Sequence, residues 1–173
     1  MPKPVPPHDP IETLGEAYET LLEKSIEEAH KTKAKSGPAL HRLIDEVAQK
    51  SSDVTELAGE EAMKIGEYLK RDLVDAANYL DKTGKELTDW LGFDLGLLKT
   101  RLREDFSQAA DQTTIELLRL KQAAQAAGYQ TGEVCGPGTL TCDKCGEKLH
   151  FHRAGHIPPC PRCKGAHFHR NPD

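Results

Sequence analysis

Along most of the chain, apolar side chains recur every three and four positions, the period of a helix that lies against a neighbour. Ile11, Leu14, Tyr18, Leu21, Leu22, Ile26 and Ala29 form the first such stripe. Asp9 can cap this helix, Pro10 suits its first position and Glu12 completes a capping box. Glu12, Glu16, Glu19 and Glu23 crowd its amino end and Lys31, Lys33 and Lys35 its carboxyl end, the order the macrodipole favours, and Gly37-Pro38 is expected to stop it. A second stripe runs through Leu40, Ile44, Val47, Val54, Ala58, Ile65, Leu69, Leu73, Ala76 and Leu80. It keeps its phase across Ser51-Ser52-Asp53, which predicts one long helix or two nearly collinear ones. Thr83-Gly84 and Leu91-Gly92-Phe93-Asp94-Leu95-Gly96 break the pattern around Trp90. A last stripe carries Leu98, Leu102, Phe106, Ala109, Thr113, Leu117, Leu120 and Ala124 to an end near Gly128.

After residue 130 the period changes to two. Leu149 and Phe151 point one way and His150 and His152 the other, while His167 and His169 flank Phe168. Glu133-Val134-Cys135, Gly136-Pro137-Gly138 and Thr139-Leu140-Thr141 read as a hairpin. Into this pattern fall two tight turns, Cys142-Asp143-Lys144-Cys145-Gly146 and Cys160-Pro161-Arg162-Cys163-Lys164-Gly165, with 14 residues between Cys145 and Cys160. Such paired turns match a zinc-site spacing, the arm being slightly short of the usual 15 to 20 or so. Each turn aims two sulfurs at one point, Gly after the second Cys permits a left-handed backbone, and two turns complete a tetrahedron on Cys142, Cys145, Cys160 and Cys163. The larger apolar residues here are few: Val134, Leu140, Leu149, Phe151, Ile157 and Phe168. So small a segment seldom folds on burial alone, whereas structural zinc contributes roughly 10 to 16 kcal/mol in finger peptides. Chelation is expected to unfold it.

The sequence thus predicts a mainly α protein, a long antiparallel, coiled-coil-like helical hairpin or bundle with a small C-terminal all-β zinc ribbon. Its expected parts are a disordered Pro-rich start (1–8), a helical domain (9–128), a linker (129–132) and the ribbon (133–173). Composition agrees. Of 173 residues, 37% are apolar and 29% charged, with four Phe, four Tyr and one Trp, too few for a thick core. Residues 1–130 carry a net charge of −7 and residues 131–173 a net of +2, and all five Cys and five of the eight His lie in the second part. No three consecutive residues are all apolar, which excludes a membrane-spanning helix. Met1-Pro2-Lys3-Pro4-Val5-Pro6-Pro7 has no apolar run of signal-peptide type, so a cytoplasmic location is expected.

On these two turns, and on the order of acidic helices followed by a four-cysteine module, the chain resembles a bacterial family of zinc-ribbon-containing proteins of uncharacterised role. The resemblance implies zinc on Cys142, Cys145, Cys160 and Cys163 and brings no activity with it.

Other chemistry weighs less. Disulfides or redox thiols are the alternative use of the four cysteines, and iron in a rubredoxin-like site is the alternative metal. Cys135 reads as an inert small apolar residue rather than a reactive thiol. If the strands near 148–152 and 166–170 pair, His150, His152, His167 and His169 share a face and offer a second metal or anion site; exposed histidines of no fixed role are the plainer reading. Lys144, Lys148, Arg153, Arg162, Lys164 and Arg170 offer a weak footprint for nucleic acid, offset by the charge of a four-thiolate centre. Trp90, Leu91 and Phe93 read as a bundle-end cap before a partner-docking tip. No phosphate loop, nucleophile elbow or HExxH helix is present, and no enzyme activity is expected. The leading expectation is a non-enzymatic adaptor with protein partners, oligomerisation through the helices remaining open. The alternatives are a transcription- or translation-associated factor contacting RNA polymerase or the ribosome, with Asp89 to Asp94 as an acidic tip, and a redox or catalytic metalloprotein.

Overall fold

The structure is a computed structural model that describes residues 10–33, 37–50, 59–83, 89, 91, 97–114 and 128–170. Among these residues lie four helices: α1 (Pro10–Thr32), α2 (Gly37–Gln49), α3 (Gly59–Thr83) and α4 (Thr100–Thr114). Six short strands follow: β1 (Tyr129–Gln130), β2 (Val134–Cys135), β3 (Gly138–Cys142), β4 (Lys148–Phe151), β5 (Gly155–His156) and β6 (His167–His169). Asp9, the Pro-rich start, Ser51-Ser52-Asp53, Trp90, Phe93, Asp94 and Leu117 to Ala124 lie outside the described residues.

A long coiled-coil hairpin is not what the helices build. Each of the four touches the other three. The reason is the width of their buried faces: α3 buries Ala62, Ile65, Leu69, Asp72, Leu73, Val74, Ala76 and Ala77, far more than a two-position seam. So broad a face needs several neighbours. The expectation of one helix or two collinear ones over residues 40–80 also fails, because α2 and α3 pack side by side. Lys70 pairs with Asp45 at 2.6 Å, and a Cβ on Gly66 would lie only 3.5 Å from the Ala48 methyl and 3.7 Å from Ile44 and Leu21. Gly66 thus faces both α1 and α2 from α3. Gly37-Pro38, expected to end α1, instead open α2, where proline suits a first turn that needs no N–H; α1 ends at Thr32 with Lys33 left-handed (φ 55°).

The core holds Tyr18, Leu22, Ile26, Leu40, Ile44, Leu69, Leu73, Leu91 and Phe106, all fully buried, and it continues into Val134 and Ala154 of the C-terminal part. The helical core thus reaches the ribbon at Val134 and Ala154, while the ribbon keeps a second apolar cluster of its own around Leu140, Ile157 and Phe168. No helix among the described residues is long and apolar enough to cross a membrane.

The C-terminal part is an antiparallel sheet in the order β1-β6-β3-β4, with a separate pair β2-β5. The expected β2–β3 hairpin does not form. β2 is taken by β5, and the Gly136 N–H donates to Asp72 of α3 at 2.7 Å. Tyr129 and Gln130, assigned to a linker from sequence, form the edge strand β1 beside β6.

Candidate metal centre

The four-cysteine centre is built by two loops of one design. In the first, the Gly146 N–H donates to the Cys142 carbonyl at 2.9 Å, and Gly146 takes a φ of 76° that a Cβ would strain. In the second, the Lys164 N–H donates to the Cys160 carbonyl at 2.9 Å, and the left-handed residue is Lys164 itself (φ 61°), not the glycine after it. Gly165 serves a different purpose. A Cβ there would lie 3.2 Å from the Cys163 sulfur and 3.3 Å from the Cys142 sulfur, so the absence of a side chain lets the backbone pass beside the sulfurs and donate its N–H to Cys163 Sγ at 3.4 Å.

The sheet brings the two loops together. Cys142 ends β3 opposite Phe168 of β6, and the second loop leads directly into β6. All four sulfurs lie within 4.8 Å of one another, with Cys142–Cys163 and Cys145–Cys160 each at 3.6 Å. A tetrahedral zinc with Zn–S bonds near 2.3 Å requires sulfurs about 3.8 Å apart, so the donor set and its spacing fit that ion. Four cysteines this close form a zinc-ribbon site, consistent with one structural zinc. Cys142 and Cys160 are buried and Cys145 and Cys163 half-buried, and Tyr129, Cys135, Leu140, Ile157 and Phe168 pack around them.

The remaining candidate residues part company. Cys135 is fully buried, and burial pushes its thiol up to about 12, which disfavours the reactive thiolate. β4 and β6 do not pair, because β3 lies between them, yet His150, His167 and His169 do share the exposed face with Thr139 and Thr141. His152 lies just past β4. Among the described residues, the cysteine quartet alone gathers three or more metal-ligating side chains. Of the basic residues, Arg153 reaches Glu19 at 3.7 Å and Arg162 reaches Glu147 at 3.9 Å. Arg170, counted as surface charge from sequence, is buried.

Arg170 belongs to a polar junction between ribbon and helices that periodicity did not reveal. Asp72, fully buried on α3, accepts the Tyr18 hydroxyl of α1 at 2.7 Å, the Gly136 N–H at 2.7 Å and the Arg71 Nε at 3.2 Å, and Arg170 Nη2 stands 3.6 Å away. Arg170 donates to the carbonyls of Pro137 and Gly136 at 2.9 and 3.1 Å. Arg71 donates to Glu133 at 2.6 Å and to the Val134 carbonyl at 3.1 Å, with its guanidinium 4.0 Å above the Tyr129 ring. The Tyr129 hydroxyl donates to Asp75 at 2.9 Å. Burial opposes the Arg71 charge, but Asp72, Tyr129 and Glu133 together outweigh that cost and raise its pKa; burial, helped by the neighbouring Asp72 charge, pushes the Asp75 carboxyl up. Glu67, one helical turn before Arg71, holds Lys70 at 2.7 Å instead, and Arg71 turns inward to Glu133.

Comparison with known proteins agrees with this architecture. A family model described as a zinc-ribbon containing domain matches residues 27–172. The chain is 28% identical over 135 residues to YbeL of Escherichia coli strain K12, described as an uncharacterized protein, covering 75% of this chain and 81% of the relative; the O157:H7 YbeL matches to the same extent. No solved structure matches.

Proposed function

Because the chain belongs to this zinc-ribbon-containing family, we propose that it is a zinc-binding, non-enzymatic adaptor whose metal folds the ribbon and, through the ribbon, fixes one composite surface of sheet and helices. Cys142, Cys145, Cys160 and Cys163 each supply one thiolate. The observation that carries this reading is the closed four-sulfur set: with four protein donors a tetrahedral ion keeps no position for water or substrate. The buried Cys135 thiol, pushed up to about 12 by burial, supports a structural role as well. The ribbon does not hang on a tether, since its backbone and Arg170 are bonded to a buried carboxylate of the helical body. Presenting a rigid surface to protein partners is what such a joint serves.

Two measurements test the proposal. Elemental analysis of the native protein is expected to find one zinc per chain and no freely titrating thiols among the four. Affinity recovery from native lysate, read by mass spectrometry, is expected to return defined protein partners with wild-type protein and to lose them with Cys160→Ser. Recovery that ignores zinc loading refutes the composite-surface reading.

A further inference from the structure

We propose that the exposed face of β6 carries a second, weaker site for a divalent late first-row transition ion, with the imidazoles of His167 and His169 as its ligands. Both residues lie in β6 two positions apart, which puts their side chains on one face with Cα atoms about 6.6 Å apart, a spacing two imidazoles can bridge through one ion. Both are exposed, while Phe168 between them is buried.

The chemistry of Asp143 makes this pair more than two solvated rings. Its carboxylate bonds the Nδ1 of His169. An ionised carboxylate only accepts, so Nδ1–H is the donor to it, and in the neutral ring that a metal requires the free lone pair is on Nε2. A carboxylate behind one imidazole nitrogen, leaving the other bare, is the arrangement that orients metal-bound histidines and raises their basicity. Asp143 also donates its backbone N–H to the His167 carbonyl at 3.0 Å, so one residue of the first cysteine loop fixes both ends of the pair. The site lies on the opposite face of the sheet from Cys142, which faces inward with Phe168, so it is separate from the sulfur quartet. Two nitrogen donors with water completing the shell favour nickel, copper or zinc over magnesium or calcium.

The test uses the full-length, untagged protein with its quartet loaded with zinc, titrated with Ni²⁺ by calorimetry, zinc content being measured before and after. One further equivalent of nickel is expected, with zinc retained. His167→Ala and His169→Ala should each weaken it at least about ten-fold, and Asp143→Asn, which keeps the shape and removes the acceptor-only group, by about ten-fold. His150→Ala and His152→Ala should leave it unchanged. Absence of nickel binding beyond the quartet overturns the proposal, as does binding that survives the His167/His169 double change or that follows His150 and His152 instead.

Discussion

Replacing Asp72 by Asn changes one atom and should unsettle both halves of the molecule. Asp72 has no exposed surface, and its two oxygens meet only donors: the Tyr18 hydroxyl and the Gly136 N–H on Oδ2, the Arg71 Nε on Oδ1, with Arg170 close by. An amide can offer one oxygen, so whichever way it turns, its NH₂ faces a donor. One buried hydrogen bond is lost at about 1 to 3 kcal/mol, and Arg170 loses its anionic neighbour. Breaking a buried ion pair by removing one partner costs about 3 to 5 kcal/mol. Arg71 retains Glu133 at 2.6 Å, which places the expected loss near 3 kcal/mol rather than above it. Against a total of roughly 5 to 15 kcal/mol for an ordinary domain, that is a large fraction. Urea denaturation followed by helical circular dichroism, with zinc release followed in parallel by a colorimetric chelator, reads the effect. Both transitions should move to lower urea together, because the carboxylate is on α3 while Gly136 and Arg170 belong to the ribbon. A double change with Arg170→Met should cost less than the two single changes summed. A loss below about 1 kcal/mol, or a helical transition that shifts while zinc release does not, refutes the coupling.

Exhaustive chelation of the native protein should abolish the ordered signal of Tyr129 and lower the melting temperature of the helices, since Asp72 then loses Gly136 and Arg170; helices that melt unchanged contradict this. Gly165→Ala should lower zinc affinity in competition with a chelator while the helical signal persists, because the new methyl sits 3.2 and 3.3 Å from two sulfurs. Gly15→Ala should destabilise the whole protein by about 2 kcal/mol in urea, since its Cβ would fall 2.3 Å from the Ala154 carbonyl oxygen and backbone must move. His41 is buried beside Thr113 at 3.1 Å, and burial, with Lys70 nearby, pulls its pKa down to about 4. The unfolded chain therefore binds a proton between about pH 6.5 and 4 that the folded one refuses, so stability is full above 6.5 and falls by about 3 kcal/mol as pH drops through that window. His41→Gln should remove that part of the slope in denaturation at pH 6.5 and 5; an unchanged difference between the two pH values shows that His41 does not supply it.

The metal centre was legible because everything that makes it is local. Two cysteines three positions apart and the left-handed residue after them close a loop by a single backbone bond, and the sheet only has to bring two such loops together. Even there the roles of the glycines differ: Gly146 is required by its own φ, whereas Gly165 is required by sulfurs it cannot sense from sequence. Helix stripes were legible for the same reason, since Leu69 and Leu73 fall on one face whatever they pack against. Their partners were not, because a stripe states that a face is buried and is silent on how many neighbours bury it; α2 and α3 keep one phase on paper and lie side by side in space. The junction is the extreme case. Tyr18 and Asp72 stand 54 positions apart, and Asp72 and Gly136 stand 64 apart. Each of these residues has an unremarkable local reading, a tyrosine in a stripe, an acid in a charged helix, an arginine near a basic end. A buried carboxylate becomes favourable only once the ribbon delivers its N–H and guanidinium, and a ribbon with so small an apolar core is expected to order only once the loops close on an ion. On that expectation zinc at the sulfurs and charge at Asp72 are two ends of one dependency, carried by β3 and β6 between Cys142 and Arg170, and a perturbation at either end should be felt at the other.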